Sequence, residues 1–166
     1  MAGENVDNSF GFLPIDSDGK EHRVEHYAKK TGTAMYKGDP VKRNADGEVE
    51  LAATGDRLAG VCAGNAAAAD DSVMVWDDKD QEYMAQCDAT YAAADVGLNA
   101  AMTINAADAA LGRGKSELLV SSFAITATLP WKITGLKERY ENVVGEFAIV
   151  KCKMNQHDSS DGTAGI

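Results

Sequence analysis

Three short clusters combine residue types that could bind a metal ion. The motif Asp-Ser-Asp-Gly at 16–19 resembles a calcium-binding loop, but its glycine stands at position 4 instead of 6. His22 and His26 have the spacing of two ligands on one helix face, yet no glutamate in zinc-protease register and no third ligand accompanies them. The acidic run at 77–80 is typical of a hairpin tip. We therefore interpret the first cluster as an Asx turn and predict no metal site.

The three cysteines, Cys62, Cys87 and Cys152, could serve as nucleophiles, metal ligands or disulfide partners. Their odd number and wide spacing fit neither a disulfide framework nor a CxxC metal motif. We expect them to be small buried apolar residues of a protein made in a reducing cytosol. The chain also lacks a phosphate-binding glycine loop and a GxSxG nucleophile elbow. The sequence therefore predicts no catalytic residues and no cofactor, and we expect that the protein is not an enzyme.

Length and composition indicate one folded domain. The chain has 166 residues, of which 45% are hydrophobic and 25% charged. Its net charge of −10 argues against binding to nucleic acid or to an anionic membrane surface. No segment has the roughly 20 apolar residues of a membrane span, and the N-terminus lacks the features of a secretory signal.

The negative charge is concentrated in the middle of the chain. Residues 44–112 carry thirteen acids and two bases, whereas residues 1–43 and 113–166 are close to neutral. A solvated acidic loop face would explain this distribution. It is also consistent with a protein whose neutral ends contact a partner while the acidic block faces solvent and limits self-association.

The elements that must position these residues are short β-strands. Runs of β-favouring residues alternate with turn signals such as Asp46-Gly47. The candidate strands are 33–36, 41–43, 49–53, 58–63, 73–76, 83–87, 123–128, 131–136 and 146–153. We expect one or two helical turns within 89–96, with Asp88 as N-cap and Gly97 as stop. The pattern predicts a mainly all-β fold, either a compact β-barrel or a β-sandwich of jelly-roll type.

Three regions follow from this pattern: an extended N-terminal arm (1–28), the β-domain (29–154) and a short polar C-terminal tail (155–166). We expect the tail to be mobile because it is rich in Gly, Ser and Asp. The arm contains apolar residues that either pack back on the domain or dock on a partner; they are Phe10, Phe12, Leu13 and Ile15. The predicted core anchors are Trp76, Trp131, Phe147 and Ile149.

Three segments in a fixed order resemble a known family. The first is TAMYKGDPV at 33–41, followed by GDRLAGV at 55–61. The second is VWDDKDQEY at 75–83, followed by ADVG at 94–97. The third is WKITGL at 131–136, followed by FAIVKCKMNQH at 147–157. Together they resemble the head decoration (capsid cement) proteins of tailed bacteriophages, over roughly residues 30–157. Lys79 stands where that family would lead us to expect proline, and residues 1–28 match nothing in it.

The resemblance implies a structural virion protein that is made in the bacterial cytoplasm and located on the outer surface of the capsid. Such a protein binds the major capsid protein, associates as a homotrimer and clamps adjacent capsid subunits, which stabilises the shell. Its partners include neither nucleic acid nor membrane. The arm residues Phe10, Phe12, Leu13 and Ile15 are then the candidates for docking on the capsid.

A different class of function remains open beside this one. A virion surface adhesin or a tail component could bind a host glycan or receptor through exposed aromatic side chains. The candidates are Trp76, Tyr91 and Tyr140.

Overall fold

The structure is a computed structural model that describes residues 5–15 and 22–166. Its regular elements are β-strands and one short 3₁₀ helix, Ala93–Asp95. The strands are β1 (Leu13–Pro14), β2 (Val24–Ala28), β3 (Pro40–Arg43), β4 (Val49–Leu51), β5 (Gly60–Cys62), β6 (Ser72–Trp76), β7 (Glu82–Gln86), β8 (Asn99–Thr103), β9 (Glu117–Ala124), β10 (Trp131–Leu136) and β11 (Ile149–Met154). Within the described residues, no helix has the length and apolar character needed to cross a membrane.

The strands form two antiparallel sheets, which confirms the all-β prediction. The first sheet has the order β1-β7-β11-β10-β8-β9, and the second has the order β2-β6-β5-β3-β4. This arrangement is compatible with a β-sandwich, and neither sheet closes into a barrel over the part of the chain that is described. Of the two architectures that the sequence left open, the sandwich is the one that fits.

In both sheets, strands at or next to the two edges approach each other. In the first sheet, Cys87, which follows β7, forms a bridge with Leu118 of the edge strand β9, and β7 is the neighbour of the other edge strand, β1. In the second, Lys29, which follows the edge strand β2, forms a bridge with Val49 of the edge strand β4, and the Lys30 amide donates to the Val49 carbonyl at 3.0 Å. Each sheet is therefore strongly curved.

The main core contains a cluster of aromatic rings centred on Trp131. The Phe12 ring stacks on Trp131 with centroids 4.1 Å apart and planes 5° from parallel. Tyr83 approaches the same indole edge-on at 5.6 Å, and the indole N–H points to the Met102 sulfur at 3.4 Å. Trp131 is fully buried and Trp76 nearly so, which confirms both as core anchors.

The other two predicted anchors are misplaced. Phe147 and Ile149 are only half-buried, and the buried residues of β11 are Val150, Cys152 and Met154. Because side chains alternate along a strand, Ile149 lies on the opposite face of β11 from the buried residues. Phe147 has a φ of 54°, which interrupts the extended backbone just before the strand.

A second, smaller core lies on the other face of the second sheet. Val73 and Val75 of β6 point into it, whereas Trp76 points into the main core. Met35, Val41, Val49 and Cys62 contribute to the same cluster. The central strands β5 and β6 therefore have apolar contacts on both faces of the sheet, which explains their nearly continuous apolar sequences.

Lys29 is almost completely buried beside this second core, with 1% of its surface exposed. Its ammonium donates to the carbonyls of Lys30 and Asp70 at 3.2 Å each and approaches that of Ala68 at 3.5 Å. The side chain thereby supplies donors to the carbonyls of Lys30 and Asp70, while the Ala68 carbonyl also accepts from the Gly32 amide at 2.8 Å. It fastens the loop after β5 to the end of β2.

The N-terminal region is part of the body of the protein. β1 pairs with β7 through Leu13 and Met84, and β2 is an edge strand that pairs with β6. The boundary predicted at residue 28 is therefore wrong, because residues on both sides of it belong to the second sheet and its bridge to β4. The apolar spacing of 24–28 is too weak for a strand prediction, since most of that strand is exposed.

The C-terminal tail is also packed against the domain instead of extending freely. Arg57 donates to the His157 carbonyl at 2.8 Å and to the Ser160 carbonyl at 2.9 Å. The Ile166 amide donates to the Gly97 carbonyl at 3.1 Å. The polar composition led us to expect a mobile tail. It could not reveal these contacts, because the residues that bond to the tail lie far away in the sequence.

Two further elements differ from the sequence prediction. The segment 89–96 contains only the single turn Ala93–Asp95, and Asp88 does not cap it. The Asp88 carboxylate instead accepts hydrogen bonds from the Val120 amide at 2.9 Å and the Thr103 hydroxyl at 3.1 Å. β8 and most of β9 were missed, because β8 (sequence NAAMT) has almost no β-branched residues.

The aromatic stack predicts a large stability loss for Phe12→Ala. The substitution would leave a cavity against Trp131, and the expected decrease in the free energy of unfolding is about 3 kcal/mol or more. Urea denaturation monitored by tryptophan fluorescence measures it. Phe10→Ala, at a half-buried position, is the matched control, and an equal loss in both variants would contradict the role of the stack.

The buried ammonium predicts that Lys29→Met is destabilising although it removes a buried charge. Three backbone acceptors would lose a charged donor, and we expect a loss of about 2 kcal/mol. Lys30→Met is the control, because the neighbouring Lys30 is exposed and pairs with Glu50 at 2.8 Å in a solvent-screened surface contact that contributes little to stability. Thermal and urea unfolding of both variants decide the question, and a neutral Lys29→Met would refute this account.

Candidate docking surface

An exposed apolar surface lies where the N-terminal segment meets the loop between β10 and β11. Its side chains are Val6, Tyr140, Val143 and Val144, of which 74%, 88%, 37% and 48% of the surface is exposed. Val6 and Tyr140 line one shallow depression of about 170 Å³, together with Phe10 and Phe147. We call Val6, Tyr140, Val143 and Val144 the apolar surface. Apolar side chains grouped in this way are typical of a protein-docking site.

Asn5 fixes the N-terminal segment to the loop formed by residues 137–148. Its side-chain amide donates to the carbonyls of Val143 and Glu146, both at 2.8 Å. Its side-chain oxygen accepts from the Val143 amide at 3.1 Å. One carboxamide thus replaces the backbone pairing that a neighbouring strand would provide.

Asn142 closes the base of the same loop. Its side-chain amide donates to the carbonyls of Lys137 at 2.6 Å and Ile149 at 2.7 Å. Its oxygen accepts from the Ile149 amide at 2.9 Å. The loop is therefore held shut at the point where β10 ends and β11 begins.

Gln86, the last residue of β7, supports the surface from below and is 2% exposed. Its amide donates to the carbonyls of Val6 at 2.7 Å and Phe147 at 2.9 Å. Its oxygen accepts from the Asn8 amide at 3.0 Å. Gln86 therefore connects the N-terminal segment and the loop 137–148, which together carry the apolar surface, to the first sheet.

The loop contains two residues with left-handed backbone conformations. Glu141 has a φ of 64° and Phe147 a φ of 54°, and each such non-glycine residue costs of order 1–3 kcal/mol. The loop also bonds to the body through the Tyr91 amide, which donates to the Gly145 carbonyl at 2.9 Å. Hydrogen bonds from several directions hold this conformation within the chain itself.

The predicted docking residues are found mostly elsewhere. Phe12 is fully buried in the core and offers no surface for docking, so its assignment as a docking residue is corrected. Leu13 and Ile15 are half-buried, with Leu13 against the core and the Ile15 amide donating to the Glu82 carbonyl at 2.8 Å. Only Phe10 lines the depression beside the apolar surface. Of the two alternatives for the apolar arm residues, packing back on the domain is therefore the one that applies to Phe12 and Leu13.

Sequence reasoning missed the residues of the apolar surface itself. The available signal was the pair Val143-Val144 beside Gly145, within a stretch otherwise rich in charged residues. The three carboxamides gave no signal, because Asn and Gln are ordinary residues in loops and at strand ends.

The clusters first considered for metal chemistry adopt structural roles where they are described. His22 contacts the Gln81 side-chain oxygen at 2.7 Å, and the Asp78 carboxylate accepts from the Asp80 amide at 2.9 Å within a turn. This turn connects β6 to β7, which lie in different sheets, so the predicted hairpin tip is wrong. The motif at 16–19 lies outside the described residues. In the described ranges 5–15 and 22–166, no group of three or more His, Cys, Asp or Glu side chains is placed to hold a metal ion.

All three cysteines are free and buried, which confirms that part of the sequence interpretation. Burial raises the pKa of the Cys87 thiol to about 12, and it also raises the pKa values of Cys62 and Cys152. Their thiols therefore stay protonated at neutral pH and pack as apolar groups.

Of the three aromatic residues considered for glycan binding, Tyr140 is exposed and the other two are buried. Trp76 and Tyr91 have 7% and 1% of their surface exposed.

Comparison with known proteins gives no match, either to a protein-family model or to a curated protein.

The loop architecture predicts the effect of Asn142→Asp. The aspartate keeps an oxygen to accept from the Ile149 amide but loses both donors and places negative charge beside two carbonyls. We expect amide hydrogen exchange in 138–148 to accelerate by about tenfold or more, since a loss of about 1.4 kcal/mol corresponds to that factor.

Asn8→Asp is the matched control on the same surface. The Asn8 side chain is placed through its oxygen, which accepts from the Arg113 guanidinium at 2.8 Å, so an aspartate should preserve the contact. Equal exchange in the Asn142→Asp variant and the control would show that Asn142 does not hold the loop.

Proposed function

We propose that this protein is a capsid decoration (cement) protein. In this proposal it binds the outer surface of a tailed-phage head as a homotrimer and clamps adjacent major capsid proteins. The observation that carries the proposal is the preorganised apolar surface, with Val6 and Tyr140 as its most exposed side chains. The order of the three sequence segments that resemble decoration proteins adds independent support.

A rigid surface suits a clamp. A protein that binds through ordered backbone loses little conformational entropy on docking, so more of the contact energy remains as affinity. The carboxamides of Asn5, Gln86 and Asn142 supply that order in the free chain. A trimer that docks three such surfaces at once would gain further affinity through avidity.

The charge distribution supports an orientation on the head. The apolar surface is built from residues in 1–43 and 113–166, the two nearly neutral parts of the sequence. The acidic part, 44–112, contributes none of its four side chains. We propose that the apolar surface faces the shell and that acidic residues face solvent, where like charge keeps decorated particles apart.

The alternative function, a virion surface adhesin or tail component that binds a host glycan or receptor, rests on Tyr140. This side chain is 88% exposed and could stack on a sugar ring. This alternative rests on a single exposed aromatic residue. The cement proposal has stronger support, because it rests on an apolar surface of four residues.

Co-sedimentation with undecorated heads of the phage that encodes the protein tests the proposal. We expect saturable binding to assembled shells and not to free capsid monomers, with added density at true or local three-fold positions in electron micrographs. The double variant Val6→Ser/Tyr140→Ser should reduce the affinity by about tenfold or more, as expected when exposed apolar anchors are removed from an interface.

Ile125→Ser is the control, since Ile125 is 64% exposed but lies outside the apolar surface. Equal affinity of the double variant and the control would reject the apolar surface as the docking site. If the wild-type protein does not bind heads at all, the cement proposal fails, and a glycan array probed with wild type and Tyr140→Ser tests the alternative.

A further inference from the structure

A second pocket, separate from the apolar surface, contains a buried carboxylate. It has a volume of about 290 Å³ and shares no lining residue with the depression beside Val6. One wall is the loop between β8 and β9, and the other is formed by residues near the start of β3 and the end of β4. Five of its lining residues are alanines, whose small side chains leave the space open: Ala34, Ala52, Ala106, Ala107 and Ala109.

Asp39 is the charged residue of this pocket and is 5% exposed. One carboxylate oxygen, Oδ2, accepts from the Tyr36 amide at 2.9 Å. The other, Oδ1, accepts no hydrogen bond from the residues that the structure describes, and no ion pair involves Asp39 among them. A buried carboxylate without a cationic partner is costly, so a cation supplied from outside would be stabilised there.

Burial raises the pKa of the Asp39 carboxyl to about 6. The group is therefore mainly ionised at pH 7.5, although it lies in a poorly solvated position. An anion held in this way attracts a cation strongly, because little water remains to screen it.

The lining favours an ammonium over a guanidinium. A guanidinium binds best to two free carboxylate oxygens, whereas Asp39 has one oxygen left. An ammonium has three donors, and two further acceptors line the pocket. Ser116 and Asn105 line the pocket, and each has a side-chain oxygen that can accept. The Asn105 oxygen is left for this role because its amide nitrogen already donates to Lys115 and Glu117.

The size of the pocket limits the ligand. Its volume lies at the lower end of the roughly 300–1,000 Å³ of ligand pockets, so it fits one slender group instead of a nucleotide or sugar chain. The alanines would contact an aliphatic stem. Ile104 at the pocket and Leu111 in the same loop are 40% and 65% exposed, and a bound protein would cover them.

We propose that this pocket binds the side chain of a lysine residue presented by a partner protein, with the ammonium on Asp39 Oδ1 and the aliphatic stem against the alanines. The site is distinct from the apolar surface, and the proposal does not depend on the identity of the partner there.

An NMR titration of the full-length ¹⁵N-labelled protein at pH 7.5 tests the proposal. The probe is Nα-acetyl-lysine N-methylamide, and its uncharged counterpart is Nα-acetyl-norleucine N-methylamide. We expect saturable shifts of the Ile104, Asn105 and Gly114 amides with the lysine probe and about tenfold or more weaker binding of the norleucine probe. Equal binding of the two probes, or no binding of either, would overturn the proposal.

Two variants test the residues, and one further ligand tests the source of the ammonium. Asp39→Asn keeps an oxygen for the Tyr36 amide and should weaken binding of the lysine probe about tenfold, whereas Asp46→Asn in an exposed turn should not change it. Ala107→Leu fills the pocket without touching Asp39 and should have a similar effect, so a folding defect in one variant leaves the other decisive.

If 1,5-diaminopentane binds about tenfold more tightly than the lysine probe, the site serves a free amine, and the proposed protein partner is wrong.

Discussion

The apolar surface depends on one constraint, the need of backbone amides and carbonyls outside the sheets to find hydrogen-bond partners. Residues 5–10 and the loop 137–148 run beside each other without forming a ladder. Three carboxamides satisfy them instead. Asn5, Gln86 and Asn142 each donate twice and accept once, and every one of these bonds involves backbone. These side-chain amides hold the loop, which contains two residues with left-handed backbone conformation, in one conformation. The loop conformation in turn fixes the positions of the exposed valines and of Tyr140.

The two sheets contribute rigidity beneath this surface by different means. The first buries an aromatic cluster around Trp131, so the strand that carries Gln86 lies against a closely packed core. The second has apolar contacts on both faces and a buried ammonium that fastens its connecting loop. Asp39, which immediately precedes β3 of this second sheet, is a buried charge of opposite sign without a cationic partner among the described residues. One buried ion thus has its partners within the fold, whereas the other has one hydrogen bond, from the Tyr36 amide.

The sequence predicted those strands whose composition is distinctive. β6 and β10 were located to within a residue, because Val, Ile and Trp alternate between clear turn signals. β8 was missed because its sequence, NAAMT, consists mostly of small and polar residues. Most of β9, ELLVSSFA, was missed although it is rich in apolar residues, because those residues do not alternate with polar ones. The candidate site could not have been located in this way. The contacts that join the N-terminal segment to β7 and to the loop 137–148 span 78 to 141 positions, and the side chains that make them have no distinctive local pattern.

The same long sequence separations determine when the apolar surface can form. Asn5 bonds to Glu146, 141 positions further along the chain, and loop closure over such a distance is slow compared with forming a local hairpin. During synthesis, the surface cannot be completed until the segment around residue 146 has left the ribosome and packed against the N-terminus. A chain interrupted before that point would carry Val6 without its neighbours Tyr140, Val143 and Val144. Completion of this surface therefore requires that residues 5–148 have all been synthesised and folded together.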